Sequence, residues 1–281
     1  MKLSDVLVEC VVNVSEGRDH DLLATLDAAA GPPLLDRHSD PDHHRSVFTL
    51  AGPVDAVTRA ARRLAERTVA ALDLRTHQGA HPRLGVLDVV PFVPYERDAL
   101  PPGDLGQVRE LRDEFVAWLA RELGVPAFSY GPQRDGSTRT LPEVRRRAFV
   151  DLAPDAGPGQ PHPRAGACAV GARPVLVAYN VWVSSHQVAR AVAAAVRGPA
   201  VRALGLSVGD RAQVSCNLIE PATVGPDALY DAVSQQVEWA GGAVLGAELV
   251  GLLPGAVLER IPPERWAPLG LAADRTIEAR L

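Results

Sequence analysis

The sequence of 281 residues contains almost no lysine, since Lys2 is the only one and arginine supplies the rest of the 29 basic side chains. A Schiff-base lysine or the lysine of a phosphate-binding P-loop is therefore not expected, because Lys2 lies near the N-terminus. Arginine pairs in a bidentate manner with carboxylates and phosphates. Positive sites in this protein thus suit anions of those two kinds.

Cysteine is also scarce, and Cys10, Cys168 and Cys216 are far apart with no CxxC spacing. The sequence predicts no disulfide framework and favours a reducing, cytoplasmic location. The longest apolar region, residues 240–258, contains Glu248 and several glycines, so we expect no membrane-spanning helix. A net charge of -5 argues against a general nucleic-acid surface.

Apolar strands and amphipathic helices are predicted in two sets, which lie before and after residues 153–166. A buried strand is predicted at Leu7–Val14, and an amphipathic helix at 54–74. The segment 153–166, APDAGPGQPHPRAG, is typical either of a linker or of an ordered ligand loop. Its composition does not distinguish between these two possibilities.

The stretch at 76–94 reads THQGAHPRLGVLDVVPFVP and places His81 between Gly79 and Pro82. Neither flanking residue suits the interior of a helix, so His81 is predicted on a short non-helical turn before a buried strand. An imidazole on a fixed turn suits proton transfer, because its free pKa is near neutrality. The alternative is a loop histidine that makes only local hydrogen bonds.

Other patterns exclude several kinds of site. The histidines do not have the spacing of a compact zinc motif, and a metal site is not favoured. The sequence has no GxSxG, GxGxxG or P-loop motif. Asp36, Asp40 and Asp42 flank a proline turn and form either a hydrophilic hairpin tip or a group that orients an imidazole or a cationic ligand. The residues alone indicate a histidine-centred pocket with aspartate and arginine at its rim.

Several motifs occur in order along nearly the whole chain: VECVVNVSEGRD at 8–19, DPDHHRSVFTLAG at 40–52, HQGAHPRLGVLDVVPFVP at 77–94, STRTLPEVRR at 137–146, LVAYNV at 176–181, VSCNLIE at 214–220 and GAELVGLLP at 246–254. With these motifs the sequence resembles the formiminotransferase family, which comprises glutamate formimidoyltransferases and the N-terminal half of bifunctional formiminotransferase–cyclodeaminases. The cyclodeaminase half has no counterpart in the sequence, so no ring-closure activity is expected.

The resemblance implies an α+β fold of two α/β subdomains, at 1–165 and 166–281, with facing β-sheets and helices on the outside. It implies transfer of a formimidoyl group from N-formimidoyl-L-glutamate to N5 of the co-substrate tetrahydrofolate, in histidine catabolism, by a cytoplasmic homodimer. The alternatives are a paralogue that moves a formimidoyl or formyl group to another acceptor, and a non-catalytic folate-binding protein. No nucleic-acid or membrane partner is expected.

The resemblance also assigns roles to residues. His81 matches the acid/base histidine of the family, whereas Ala80 and His38 stand where acidic residues are expected. The residues expected to support catalysis are Asp36, His38 and Asp40. The candidates for substrate binding are Asn13, Ser15, Glu16, Arg45, Arg83 and Asp88. The folate loop matches Gly157, Pro158, Gly159, Gln160, Pro161, His162, Pro163, Arg164, Ala165 and Gly166. Further folate-binding candidates are Asn180, Asn217 and Glu248.

Overall fold

The computed structural model describes residues 7–96, 105–209 and 211–281. The described residues form two compact units, one up to residue 174 and the other from residue 175 onward. Each unit combines helices with its own β-sheet and its own hydrophobic core. The predicted α+β fold class is confirmed.

The first unit contains a seven-stranded mixed sheet with the strand order β2-β3-β1-β4-β7-β5-β6. The strands are β1 (Leu7–Val14), β2 (Leu34–Asp40), β3 (Arg45–Pro53), β4 (Leu87–Tyr95), β5 (Ala127–Pro132), β6 (Thr138–Arg139) and β7 (Cys168–Ala172). Strand β1 runs antiparallel to both β3 and β4, and β7 runs parallel to β4 and β5. The predicted bounds of the first strand are confirmed.

Three helices pack on one face of this sheet, and one helix packs on the other. The helices are α1 (His20–Ala30), α2 (Val54–Ala71), α3 (Leu105–Leu123) and α4 (Leu141–Arg147). Alternate residues of β1, such as Val8 and Val12, share a buried core with α1, α2 and α3. Val144 of α4 belongs to a separate cluster with Val89 and Phe128, on the opposite face of the sheet. The face that carries α4 also carries the candidate site.

The second unit contains a four-stranded antiparallel sheet with the strand order β11-β8-β10-β9. Its strands are β8 (Val177–Val183), β9 (Val201–Val208), β10 (Arg211–Leu218) and β11 (Val244–Val250), and its helices are α5 (His186–Ala195), α6 (Pro226–Trp239), α7 (Gly255–Leu258) and α8 (Ile277–Arg280). The predicted helical tail at 262–281 contains only short 3-10 turns and α8, because Pro268 and Gly270, whose φ is 67°, interrupt the segment.

At the boundary between the units, one expectation needs correction and one open alternative is decided. Division at 165/166 would place β7 in the second subdomain, whereas β7 lies between β4 and β5 in the first sheet, so the division falls after residue 174. The segment 153–166 is an ordered loop of the first unit and not a linker. Its Arg164 and Ala165 carbonyls accept hydrogen bonds from the backbone N–H groups of Leu74 and Val86, at 2.7 and 2.9 Å.

In the described segments of the chain, no helix combines the length and the apolar character that crossing a lipid bilayer requires.

Candidate active site

The turn that carries His81 lies between a 3-10 turn at Leu74–Thr76 and β4, and close backbone contacts fix it. The Ser15 hydroxyl donates to the Gly85 carbonyl at 2.9 Å. A Cβ atom at Gly85 would lie 2.2 Å from the Ala167 carbonyl oxygen, and one at Gly79 would lie 2.3 Å from the His43 carbonyl oxygen. Only glycine fits at these two positions. The predicted non-helical turn at His81 is confirmed.

The half-buried imidazole of His81 has three defined neighbours. Its Nδ1 lies 2.6 Å from the carbonyl oxygen of Pro82, so Nδ1 carries the proton and donates it to that carbonyl. Arg45 Nη1 lies 2.6 Å from Nε2 and 2.8 Å from Nδ1. The ring of His43 is tilted against that of His81, with 6.0 Å between the centroids. Nε2 is therefore the proton-accepting atom, and a guanidinium group contacts it.

Asn13 holds Arg45 in this position. Its side-chain oxygen accepts a hydrogen bond from Arg45 Nη2, while its Nδ2 donates to the Val11 carbonyl at 2.8 Å. Asn13 on β1 is paired with Val47 on β3, two residues along from Arg45, so both side chains lie on the same face of the sheet. The two predicted substrate-binding residues are thus brought together.

An ion pair that the sequence did not reveal holds the His81 turn from the side of α4. Arg145 Nη2 lies 2.5 Å from the Asp88 carboxylate, which is 1% exposed. Arg145 Nη1 donates to the Pro82 carbonyl at 3.2 Å, and Asp88 accepts the backbone N–H of Leu84 at 2.7 Å. The pair therefore fixes the backbone on both sides of Arg83. The predicted binding residue Asp88 has a structural role here.

Arg83, another predicted substrate-binding residue, is also used within the turn. Its Nη2 donates to the carbonyls of Gly79 and His81, at 3.0 and 2.5 Å, and its Nη1 donates to the His77 ring. His77 Nε2 in turn donates to the His44 carbonyl at 3.0 Å, and the two rings stack with centroids 4.1 Å apart. His44 has a φ of 49°, a conformation uncommon outside glycine. Sequence reasoning assigned no role to His77 or His44.

Glu16 lies in the turn before α1 and is buried. Its Oε1 accepts the backbone N–H groups of Gly17, Arg18 and Asp19, at 2.7–3.0 Å. His44 Nδ1 also accepts the N–H of Gly17, at 3.1 Å. The Glu16 side chain thus shapes the backbone beside the hairpin tip.

The predicted catalytic-support residues lie on β2, at the edge of the sheet. Asp36, His38 and Asp40 are paired with Thr49, Val47 and Arg45 of β3, so they share the face that carries Asn13. The Asp40 carboxylate accepts the backbone N–H groups of Asp42 and His43, each at 2.8 Å, and its other oxygen lies 3.9 Å from His43 Nδ1. Asp40 therefore orders the hairpin tip from which His43 approaches His81.

Burial and neighbouring arginines keep the imidazoles of the site neutral. Burial, together with the charges of Arg45 and Arg145, lowers the pKa of His81 to about 2, although its hydrogen bond to Pro82 opposes this. Burial and the charge of Arg83 lower the pKa of His77 to about 4. Burial also lowers the pKa of Arg45 to about 10, so it stays cationic at neutral pH. The site is a cluster of guanidinium groups around a neutral base.

The predicted folate loop reaches the His81 turn. Gly166 forms a bridge with Gly85 of the turn. Gly166 also pairs with His162 through two backbone hydrogen bonds of 2.8 and 2.9 Å. His162 Nδ1 accepts the N–H groups of Arg164 and Ala165 at 3.2 and 2.9 Å. Residues 157–161 are exposed. The base of the loop is thus fixed and its tip is accessible.

The three remaining folate-binding candidates belong to the second unit. Asn180 Nδ2 donates to Glu248 at 3.3 Å, and Gln213, which the sequence analysis missed, lies 3.5 Å from the same carboxylate. Asn217 is exposed and is paired with Ala178. Side chains alternate between the two faces of the sheet along β8 and β10. Tyr179 and Val214 belong to the core of the unit, so Asn180, Gln213 and Asn217 lie on the opposite face.

Among the residues that the structure describes, no group of three or more histidine, cysteine, aspartate or glutamate side chains is placed to hold a metal ion.

Comparison with known proteins identifies relatives along most of the chain. Residues 7–173 match the formiminotransferase domain, N-terminal subdomain. A glutamate formimidoyltransferase from Streptococcus pyogenes serotype M1 is 34% identical over 278 residues, which cover 90% of each chain. Another from Thermoplasma acidophilum is 31% identical over 90% of this chain and 89% of its own. The formimidoyltransferase-cyclodeaminase of Sus scrofa is 32% identical over 88% of this chain and 50% of its own length.

Proposed function

The chain belongs to the formiminotransferase family, a family of transferases, and from this premise we propose that it is a glutamate formimidoyltransferase. The proposed reaction moves the formimidoyl group of N-formimidoyl-L-glutamate to N5 of tetrahydrofolate. Within the site, the proposal rests on the imidazole of His81. Its contact with the Pro82 carbonyl places the ring proton on Nδ1, so Nε2 is the proton acceptor. This arrangement suits a reaction in which one proton passes between two nitrogen atoms.

The proton balance explains why one imidazole is sufficient. N5 of tetrahydrofolate attacks the formimidoyl carbon, a new C–N bond forms, and His81 Nε2 takes the proton that N5 loses. The tetrahedral carbon then bears both nitrogens. His81 returns the proton to the glutamate nitrogen while the bond between that nitrogen and the carbon breaks. General acid–base catalysis of this kind contributes about 10²–10⁴-fold to the rate.

The charges of the site support an anionic donor. Arg45 contacts the His81 ring and Asn13. Formimidoyl-glutamate carries two carboxylates, and a guanidinium binds a carboxylate through two parallel hydrogen bonds. We propose that Arg45 binds one of these carboxylates. Arg83, which the sequence analysis proposed for the same role, is less suited to it. Its Nη2 already donates to the carbonyls of Gly79 and His81 in its own turn.

The cationic amidine of the donor needs a negative or carbonyl partner. Asp40 remains our candidate, since its carboxylate lies at the hairpin tip beside His43.

Tetrahydrofolate is proposed to contact the exposed tip of the loop at 157–161, whose base is bonded to the His81 turn. On the second unit, Asn180, Asn217 and Glu248 stay folate-binding candidates that rest on the resemblance to the family. The resemblance to the family also supports a homodimer, which light scattering of the purified protein would measure.

A turnover experiment tests the proposed function. The protein is mixed with formimidoyl-glutamate and tetrahydrofolate, and formation of 5-formimidoyl-tetrahydrofolate is followed together with release of glutamate. We expect both products in equal amounts. A parallel reaction with N-formyl-glutamate distinguishes formimidoyl from formyl transfer. Release of glutamate without a folate product, or a faster reaction with the formyl donor, would contradict the proposal.

A further inference from the structure

We infer that Arg145 is a positioning residue for His81, and that it acts through the backbone carbonyl of Pro82. In this arrangement the carbonyl takes the place that a carboxylate has beside the histidine of many other enzymes. The inference rests on the proposed function, since it concerns the same base. Its spectroscopic test needs neither the donor nor the folate, so the two can fail independently.

The Pro82 carbonyl determines which nitrogen of His81 is the base. It lies 2.6 Å from Nδ1, and a carbonyl oxygen only accepts hydrogen bonds, so the ring proton is on Nδ1 and the lone pair is on Nε2. Arg45 Nη1 does not select a nitrogen, because it lies nearly as close to Nδ1 as to Nε2, at 2.8 and 2.6 Å. Among the side chains that the structure describes, no carboxylate forms a hydrogen bond or an ion pair with this ring.

The Pro82 carbonyl itself depends on a side chain for support. It belongs to the turn before β4, where the backbone forms neither helix nor strand and Gly79, Ala80 and Pro82 are exposed. In the described part of the chain, no backbone N–H group donates to this carbonyl. A carbonyl oxygen has two lone pairs, so it can accept a second hydrogen bond besides that of His81. Arg145 Nη1 supplies the second bond, at 3.2 Å.

The buried carboxylate of Asp88 holds Arg145 in place. The Asp88 side chain is 1% exposed, and its two oxygens lie 2.5 Å from Arg145 Nη2 and 3.3 Å from Nη1. A guanidinium is planar and presents its donors in a fixed fork, so the position of Asp88 determines where Nη1 points. Arg145 therefore connects a buried residue of β4 to the exposed carbonyl of Pro82. Through that carbonyl it fixes the imidazole, which must stay within about 0.5 Å of its working position.

A positioning role and a purely structural role make different predictions for one double variant, Asp88→Asn with Arg145→Met. The variant leaves no buried charge without a partner, and its amide still accepts the N–H group of Leu84, so the fold is retained. If Arg145 served only to neutralise Asp88, the site would be retained as well. If Arg145 positions His81, the site is impaired, because the support of the Pro82 carbonyl is lost.

The test records the nitrogen NMR signals of the His81 ring at neutral pH, where protonated and unprotonated ring nitrogens resonate far apart. The His81→Asn variant identifies these signals among those of the eight histidines. In the wild type we expect the proton on Nδ1 alone. In the double variant we expect a mixture of both tautomers, because the carbonyl that selects Nδ1 is no longer fixed.

Two single variants complete the design. Asp88→Asn leaves Arg145 charged but without a carboxylate to hold its fork, so it should also show both tautomers. This variant provides the same readout where the double variant does not fold. Arg146→Met removes an exposed arginine of the same helix and should give the wild-type signals.

Turnover of formimidoyl-glutamate and tetrahydrofolate gives a second readout. We expect kcat of the double variant to fall by about 10–100-fold, as when the outer partners of metal-bound histidines are removed. The fall should stay below the loss of about 10⁴-fold that follows replacement of a carboxylate in direct contact with a catalytic histidine, since the Pro82 carbonyl remains. Both KM values should change little, because the base and not the binding groups is misplaced.

The inference is overturned if His81 of the wild type carries its proton on Nε2. It is also overturned if the folded double variant, or Asp88→Asn in its place, keeps the wild-type signals or the wild-type kcat. A changed tautomer in a protein that transfers no formimidoyl group would retain the inference and reject the proposed function. Formimidoyl transfer with unchanged signals in the variants would retain the proposed function and reject the inference.

Discussion

Replacing Arg145 with methionine should destabilise the first unit, because it removes the charged partner of a buried carboxylate. Asp88 is 1% exposed, its carboxylate lies 2.5 Å from Arg145 Nη2, and the Arg145 side chain is only 19% exposed. Removing one member of a buried ion pair costs about 3–5 kcal/mol, since the other charge remains buried without compensation. This is a large part of the stability of a typical domain, about 5–15 kcal/mol.

The assay is urea unfolding followed by circular dichroism, with Arg146→Met as the matched control on the exposed side of α4. The double variant Asp88→Asn with Arg145→Met should recover most of the loss, because a neutral amide still accepts the N–H of Leu84. Transfer activity should stay low in this double variant, since the hydrogen bond from Arg145 to Pro82 is gone. A free energy of unfolding for Arg145→Met within about 0.5 kcal/mol of the wild type would refute the reasoning.

Two further predictions concern stability. Gly85→Ala should lower the melting temperature by several degrees, because the new Cβ atom would lie 2.2 Å from a carbonyl oxygen. The control Gly159→Ala places its Cβ atom in open space and should leave the melting temperature unchanged, so equal melting temperatures for the two variants would contradict the prediction. Acidification from pH 7 to 5 should lower the free energy of unfolding. In the folded protein His77 and His81 have pKa values of about 4 and about 2 and stay neutral over this range. In the unfolded chain both bind protons below about pH 6.5, so a lower pH favours unfolding. Equal urea midpoints at pH 5 and 7 would refute this.

Local patterns were sufficient for the elements that depend on local chemistry. The strand β1 follows from a β-branched run, and the turn at His81 follows from Gly79 and Pro82, whose backbones do not suit a helix interior. The strand β7 was not predicted. Its sequence, CAVGA, consists mainly of small residues, and its partners β4 and β5 are distant in sequence. Only the completed sheet shows that this segment is a buried central strand.

The candidate site was predictable as a set of residues but not as a set of contacts. Asn13, Arg45 and His81 were selected from the sequence, and the structure brings their side chains together. The contact between Arg145 and Asp88 joins residues 57 positions apart. Such a contact depends on how α4 packs on the sheet, and the sequence around Arg145 indicates only a short helix with a basic end.

The most direct test of the central claim, that His81 transfers the proton during formimidoyl transfer, is the turnover number of the His81→Asn variant. Asparagine keeps a polar side chain at this position but cannot accept and return a proton at neutral pH. We expect kcat to fall by about 10²–10⁴-fold relative to the wild type. A correctly folded His81→Asn protein that transfers formimidoyl groups at the wild-type rate would contradict the account.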